Sequence, residues 1–377
     1  MHKEKRKTNP LRRVLIKLIF GLVLIVSVLA VGIQALRPTG AQIVYIAPDD
    51  NGYDAIWLAD VNNPEHPRQL THHEEMSIGN LQVSQENSIV FYRTYPIDNS
   101  IPNEFRTINL DTGDYQILAL CEVNDCRYFQ LHPSGEWIAY QEYEEDSVKV
   151  VIQNLEGSIE TSERREVFET EIITNNIYQP LPKWVGNTNA LVFRVSGMNS
   201  IDEFAFYDID ENQIIETKTL NVPYSTPNFS DDGSFYSSVT IQSMYPSSFV
   251  DPRLPFIRNI QNLEQLIYEA PSSSDIIADW HSNNVQVLLN RNGSTYASEL
   301  IVDTYLYNIS TGESDLLFTV EDNVPRTTFN TEGTQILYTA FFSEVNLYQI
   351  MLFDMESREE ITLPIVGGRP QWVNGGQ

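Results

Sequence analysis

The sequence predicts an all-β fold: a seven-bladed β-propeller closed by its own C-terminal strand and preceded by one transmembrane helix. Three observations carry this reading. Residues 18–36 form a long apolar run without a charged side chain. Past residue 42, short alternating runs rich in Val, Ile, Tyr and Phe recur in sets of four, spaced 45–53 residues apart. The first set lacks its opening strand, and the last residues of the chain supply one that has no set of its own.

The N-terminal element comes first. Residues 1–37 hold eight basic residues and one acidic residue, Glu4, in a chain whose overall net charge is −27. The run LIFGLVLIVSVLAVGIQAL is long enough to cross a hydrocarbon core of about 30 Å at 1.5 Å per residue. Lys3, Lys5, Arg6, Lys7, Arg12, Arg13 and Lys17 precede it and only Arg37 follows closely, so the positive-inside rule places the N-terminus in the cytoplasm. The run exceeds the usual h-region of a cleaved signal peptide, and no Cys follows it as a lipid anchor, so an uncleaved signal-anchor is expected. The predicted organisation is a basic cytoplasmic tail (1–13), a membrane helix (14–36), a short linker (37–42) and an extracytoplasmic propeller (43–377) in the cell membrane.

The propeller reading rests on register. First runs are IVYIA (43–47), IVFYR (89–93), WIAYQ (137–141), ALVFR (190–194), FYSSV (235–239), QVLLN (286–290) and QILYT (335–339). Each is followed by a second run such as AIWLADV (55–61) or TYLYNIS (304–310), then a third such as QLT (69–71) or DLLFTV (315–320). A short shared segment closes each unit: NLQVS, YFQLH, LPKWV, TPNFS, IADWH and RTTFN, with RPQWV at residues 369–373 as the seventh. The units are 43–88, 89–136, 137–189, 190–234, 235–285, 286–334 and 335–377. Four strands per unit is the period of a propeller blade, and RPQWV as the innermost strand of the first blade closes the ring and removes two exposed edges.

Composition limits the function classes. With 42% hydrophobic residues, 19 Tyr, 17 Phe and 5 Trp the chain buries a core, and with 2 Cys it is no disulfide-rich scaffold. Beyond residue 37 it is strongly acidic, which argues against a phosphate-backbone binder, so no nucleic-acid partner is expected.

Unit one shows IWLADV and RQLT, unit two ends in HPSGEWIAY (132–140), and unit four ends in FSDDGSF (229–235). In these motifs the repeat resembles the propeller of the translocation protein TolB and related WD-repeat-like propellers, including those that precede the hydrolase domain of dipeptidyl-peptidase-type enzymes. The resemblance covers about residues 43–377. Units three and five lack the Gly of the family's S-P-D-G turn, and the extra domain that accompanies the usually six-bladed TolB propeller is absent here. The resemblance implies the fold, without a catalytic domain.

No catalytic residue, cofactor or metal is predicted. A peptidase reading fails for want of a hydrolase domain and a G-x-S-x-G elbow. Cys121 and Cys126 flank CEVNDC in an extracytoplasmic loop, which favours a loop-closing disulfide over two free thiols or a metal site. His66, His72, His73, Glu74 and Glu75 are the densest set of metal-ligand types, but their spacing matches no helix-borne motif. Asp49, Asp50, Asn51, Gly52 and Asp54 read as a polar hairpin tip. Trp184, Trp280 and Trp372 share one blade position and are expected to pack near the ring centre.

The expected function is a membrane-anchored, extracytoplasmic protein-binding or scaffolding module. The alternatives are a propeller lyase or hydrolase acting on an envelope or extracellular substrate, and a purely structural envelope element. The long connections TYPIDNSIPNE (94–104), IQSMYPSSFVDPRLP (241–255), NRNGSTYASELIVD (290–303) and AFFSEVN (340–346) fall on one face, the short turns on the other. The long-loop face is expected to lie away from the membrane and to bind a protein partner through Tyr95, Tyr245, Phe249, Tyr296, Phe341 and Phe342.

Overall fold

Seven four-stranded antiparallel sheets account for all the strands of the computed structural model. It describes residues 41–377 apart from 85–87, 98–103, 121–124, 156–161, 172–179, 197–202, 221, 223–226, 242–252, 270–274, 293–300, 322–325, 343–346 and 374–377. The predicted span at 14–36 lies outside these residues, and among them no helix is long and apolar enough to cross a membrane.

Blade 1 is built from Gly368–Val373, Gln42–Pro48, Asp54–Asp60 and Asn63–Gln69, from the inner strand to the outer. The same order runs through blade 2 (Met76–Ser84, Ile89–Pro96, Glu104–Asn109, Tyr115–Leu120) and blade 3 (Asp125–Leu131, Trp137–Tyr143, Ser147–Asn154, Arg164–Glu171). Blade 4 comprises Lys183–Trp184, Ala190–Ser196, Glu203–Asp208 and Gln213–Thr219, and blade 5 comprises Asn228–Phe229, Phe235–Ile241, Arg253–Asn259 and Leu266–Glu269. Blade 6 is Asp275–Trp280, Gln286–Asn292, Ile301–Asn308 and Ser314–Glu321; blade 7 is Thr328–Phe329, Gln335–Phe342, Leu347–Asp354 and Glu360–Val366. The ring closes on the C-terminal strand: Gln42 pairs with Val373 and Ile43 with Trp372.

A blade cannot bury itself, because its second and third strands are apolar on both faces. Ile43, Tyr45 and Ala47 enter a core shared with Leu337, Ile350 and Leu352 of blade 7, while Val44 and Ile46 of the same strand enter one shared with Val90 and Tyr92 of blade 2. Seven such cores fill the seven gaps between blades. That explains why these runs read as nearly continuous apolar segments: each alternate residue serves a different neighbour.

The turns follow from short polar side chains. Third strands end in Asp or Asn whose side-chain oxygen accepts the N–H groups of the following turn, as Asn109 does from Asp111 and Thr112, Asn308 from Ser310 and Thr311, and Asp354 from Glu356 and Ser357. In the inner-to-second turns a left-handed residue is needed, supplied by Gly135 (φ 77°), Gly233 (φ 69°) and Gly333 (φ 70°). Unit five lacks the Gly, and Asn284 adopts φ 56° in its place, the conformation Asn tolerates best among L-residues. In unit three the left-handed residue is Gly186 (φ 56°), and a Cβ there would lie 2.2 Å from the Ser230 carbonyl oxygen of the next blade.

Two strand assignments differ from expectation. The outer strand of blade 1 is Asn63–Gln69, not QLT, and it carries Pro64 and Pro67. An outermost edge has no neighbour awaiting those missing N–H donors, so proline costs little there. The second strands also run further than their apolar cores, to Pro96 in blade 2 and Phe342 in blade 7. Tyr95, Phe341 and Phe342 therefore sit on strands, not loops.

Candidate functional site

Inner strands run from the long-loop face to the short-turn face around a central channel, and each places one polar residue just before its last apolar one. The resulting ring is Gln371, Gln82, Gln130, Lys183, Asn228, Asp279 and Thr328. Part of it latches blade to blade. Gln371 Oε1 accepts the Val83 N–H (3.1 Å), Gln82 Oε1 accepts the Leu131 N–H (2.6 Å) while its Nε2 donates to the Phe129 carbonyl (3.1 Å), and Asp279 Oδ2 accepts the Phe329 N–H (2.8 Å) and the Thr328 hydroxyl (2.9 Å). Indoles form a second set of latches: Trp184 Nε1 donates to the Gln130 carbonyl (2.9 Å) and Trp372 Nε1 to the Thr328 carbonyl (3.3 Å). On the short-turn face Ser84 donates to the Pro133 carbonyl, His132 Nε2 lies 3.1 Å from the Thr188 carbonyl, and the Asn187 N–H donates to the Asp231 carbonyl.

The arc from blade 3 to blade 5 is different. Gln130, Lys183 and Asn228 make no side-chain latch among the described residues, and they line a cavity of about 290 Å³ at the short-turn mouth with Trp184, Asp231, Asp279 and Trp280. Three ionisable groups there are perturbed in a consistent way. Burial pushes the Asp279 carboxyl up to about 6 against the pull of its hydrogen bonds from Phe329, Thr328 and Trp280. Burial and the Asp232 charge raise Asp231, and burial lowers Lys183 while Asp279 draws it back up. Asp279 thus exchanges its proton near neutral pH, within the field of an ammonium group. Perturbed groups converging on a cleft mark a candidate functional site.

At the long-loop mouth a second cavity of about 400 Å³ is lined by Arg326, Thr327, Asn290, Gln371 and Trp372. Arg326 and Arg369 occupy equivalent positions on adjacent inner strands, and both burial and the Arg369 charge lower Arg326. On the same face, the long-loop end of blade 7 exposes apolar side chains. Phe341 pairs across the strands with Tyr348 (ring centroids 5.1 Å apart) and Phe342 with Leu347, and Phe342, Leu347, Tyr348 and Val366 are all solvent-exposed.

Among the residues predicted from sequence, Phe342 is exposed and Phe341 is half-buried against Tyr348. Tyr95 is half-buried: its ring lies where a Gly79 Cβ would stand 2.3 Å away, under the Arg93 guanidinium at 4.5 Å. It packs its own blade because Gly79 leaves it room. Tyr245, Phe249 and Tyr296 lie outside the described residues. Cys126 is buried and disulfide-bonded, and its predicted partner Cys121 lies outside the described residues. Among the described residues no cluster of three or more His, Cys, Asp or Glu side chains could hold a metal ion. His73 is instead built into blade 2. Its Nδ1 accepts from Arg106 Nη1 (3.2 Å), so Nε2 carries the proton and donates to Tyr92 Oη (3.1 Å). Burial, then the Arg106 charge, depress His73 to about 4, which keeps it neutral. Asp49 accepts the N–H groups of Asn51 and Tyr53 and closes its own hairpin tip.

The polar ring was visible in sequence as one polar column, QQQKNDT, ahead of the Trp, Val, Leu and Phe residues. Nothing in that column distinguishes the latched members from the unlatched.

No protein-family model matches the sequence, and no curated relative matches it. Solved structures do. Oligogalacturonate lyase from Vibrio parahaemolyticus superposes with a TM-score of 0.61 at 14% identity, covering 86% of this chain and 89% of that one. This chain is a β-propeller. The propeller domain of the Trilobed protease from Pyrococcus furiosus, described as having an open velcro topology, gives 0.53 at 16% identity over 79% of this chain and 86% of that one. Here, by contrast, the ring is closed by strand pairing. TolB from Acinetobacter baumannii gives 0.49 at 12% identity, covering 88% of this chain, which spans 66% of the TolB chain. At these identities the likeness establishes the fold and carries no activity with it.

Proposed function

We propose that this chain is a single-pass, membrane-anchored extracytoplasmic β-propeller that acts as a protein-binding module and engages its partner on the long-loop face. The observation that carries the reading is the exposed apolar long-loop end of blade 7, Phe342, Leu347 and Tyr348 of its middle hairpin and Val366 of its outer strand. A contiguous apolar projection on a strongly acidic domain marks an interface rather than a surface tuned for solubility. The two ends of the propeller support the orientation. Gln42 and Val373 are paired neighbours at the short-turn end of blade 1, and the linker 37–42 spans at most about 20 Å, so the short-turn face lies toward the bilayer if residues 14–36 cross it.

The test is cross-linking capture from native membranes. The wild-type chain is expected to retain a specific protein through a Phe342, Leu347 and Tyr348 surface, and the triple substitution of these residues by Asp is expected to lose it. Substitution of the short-turn residues Thr112 and Thr311 by Asp is expected to leave capture intact. The reverse pattern overturns the reading.

A further inference from the structure

From the unlatched arc of the ring we infer that the short-turn mouth of the channel is a binding site for a small zwitterion of the amino-acid class, with Lys183 holding its carboxylate and Asp231 its ammonium group. The inference is independent of the protein-binding reading, which concerns the opposite face.

Where channel residues latch, they satisfy backbone groups of the next blade, as Gln371, Gln82 and Asp279 do. Gln130, Lys183 and Asn228 are three consecutive ring members that make no such latch, and all three line the cavity of about 290 Å³ together with the latched Asp279. Gln130 and Lys183 are half-buried and Asn228 is exposed, so their polar ends are free to meet a ligand in the cavity.

The indoles give the second, separate observation. Trp184 and Trp372 each donate Nε1–H to the ring carbonyl of the preceding blade. Trp280 stands at the equivalent position, is 7% exposed, and its Nε1 has no partner. Trp280 lines the same cavity. A buried indole N–H without an acceptor is rare, and here it adjoins the three ring members that make no latch.

The charges fix the class of ligand. Lys183 and Asp231 both line the cavity, and neither side chain has a hydrogen-bond or ion-pair partner among the described residues. They carry opposite charges yet do not pair. A simple anion would answer Lys183 but meet Asp231 and Asp279, and a simple cation would meet Lys183. A ligand bearing both charges answers both, while the Gln130 and Asn228 amides and the Trp280 N–H serve its remaining donors and acceptors. Burial raises the Asp231 carboxyl, with the Asp232 charge adding to it, and lowers the Lys183 ammonium against the opposing pull of Asp279, so both charges sit where water does not fully solvate them. The volume of about 290 Å³ is large enough for an amino acid.

The experiment is calorimetric titration of the full-length chain in detergent with each of the twenty amino acids singly, and with acetate and methylamine as probes of one charge each. At least one amino acid is expected to bind saturably, with acetate and methylamine at least tenfold weaker. Lys183→Gln, which installs the residue found elsewhere in the ring, and Asp231→Asn are each expected to weaken that binding at least tenfold. Arg326→Gln at the other mouth is expected to leave it unchanged. The inference is overturned if no amino acid saturates below 10 mM, if either single-charge probe binds as well, or if both cavity variants, shown folded by unchanged melting, bind as wild type does.

Discussion

Asp279 concentrates, in one side chain, the conflict between holding the ring together and burying a charge. Its carboxylate takes hydrogen bonds from Phe329, Thr328 and Trp280, yet burial raises its pKa to about 6 from an ordinary value near 3.8. The unfolded chain therefore releases this proton before the folded one does, and stability contributed at low pH falls as pH rises from about 4 to about 6, then levels off. Asp279→Asn keeps an oxygen for the Phe329 N–H and removes the charge. It is expected to gain on the order of 1–3 kcal/mol relative to wild type on going from pH 4.5 to pH 7, measured by urea unfolding at both values. A stability difference independent of pH counts against this account.

At the scale of the element, the inner strands are too short to hold the ring by their own pairing. In blades 4, 5 and 7 each spans two residues, Lys183–Trp184, Asn228–Phe229 and Thr328–Phe329. Side-chain latches between neighbouring inner strands compensate. Gln82 makes two such bonds without a charge, one with the Leu131 N–H and one with the Phe129 carbonyl, both on buried residues. Gln82→Ala is expected to cost about 1–3 kcal/mol by leaving those groups unsatisfied. Gln130→Ala, at the equivalent but unlatched position, is expected to change stability by less than about 0.5 kcal/mol. Thermal or chemical melts of the two variants side by side test the contrast, and equal effects refute it.

Across the whole molecule, stability is shared around a closed ring, because each core lies between two blades and none belongs to one. Residues 369–373 contribute both a strand paired with Gln42–Pro48 and Trp372, which is buried against Leu337 and Leu352 of blade 7. Deleting residues 369–377 is expected to cost several kcal/mol, well beyond the trimming of an exposed terminus, and to expose the edge of Gln42–Pro48 to association with other chains. A truncated propeller that melts at the wild-type temperature and stays monodisperse contradicts ring closure as a source of stability.

Much of this architecture was legible in the chain itself. The Asp or Asn at the ends of third strands is a local signal, a hydrogen bond within one hairpin, while the period of 45–53 residues and the displaced RPQWV segment were legible because the repeat writes the same strand order seven times. Asn284 in place of a glycine could also be read locally, because the left-handed conformation is a property of single residues. The candidate site was not legible, for a physical reason. Whether Gln82 latches and Gln130 does not, and whether Trp184 finds a carbonyl and Trp280 does not, depends on the distance between strands about 50 residues apart, which packing around the ring sets. Tyr95 shows the same limit: its sequence neighbours suggested an exposed loop aromatic, and the space left by Gly79 on the paired strand turned its ring onto the blade. Sequence determined the number of blades and how the ring closes; only the tertiary structure decided which polar groups at its centre latch neighbouring blades and which do not, because that depends on how strands far apart in the chain pack.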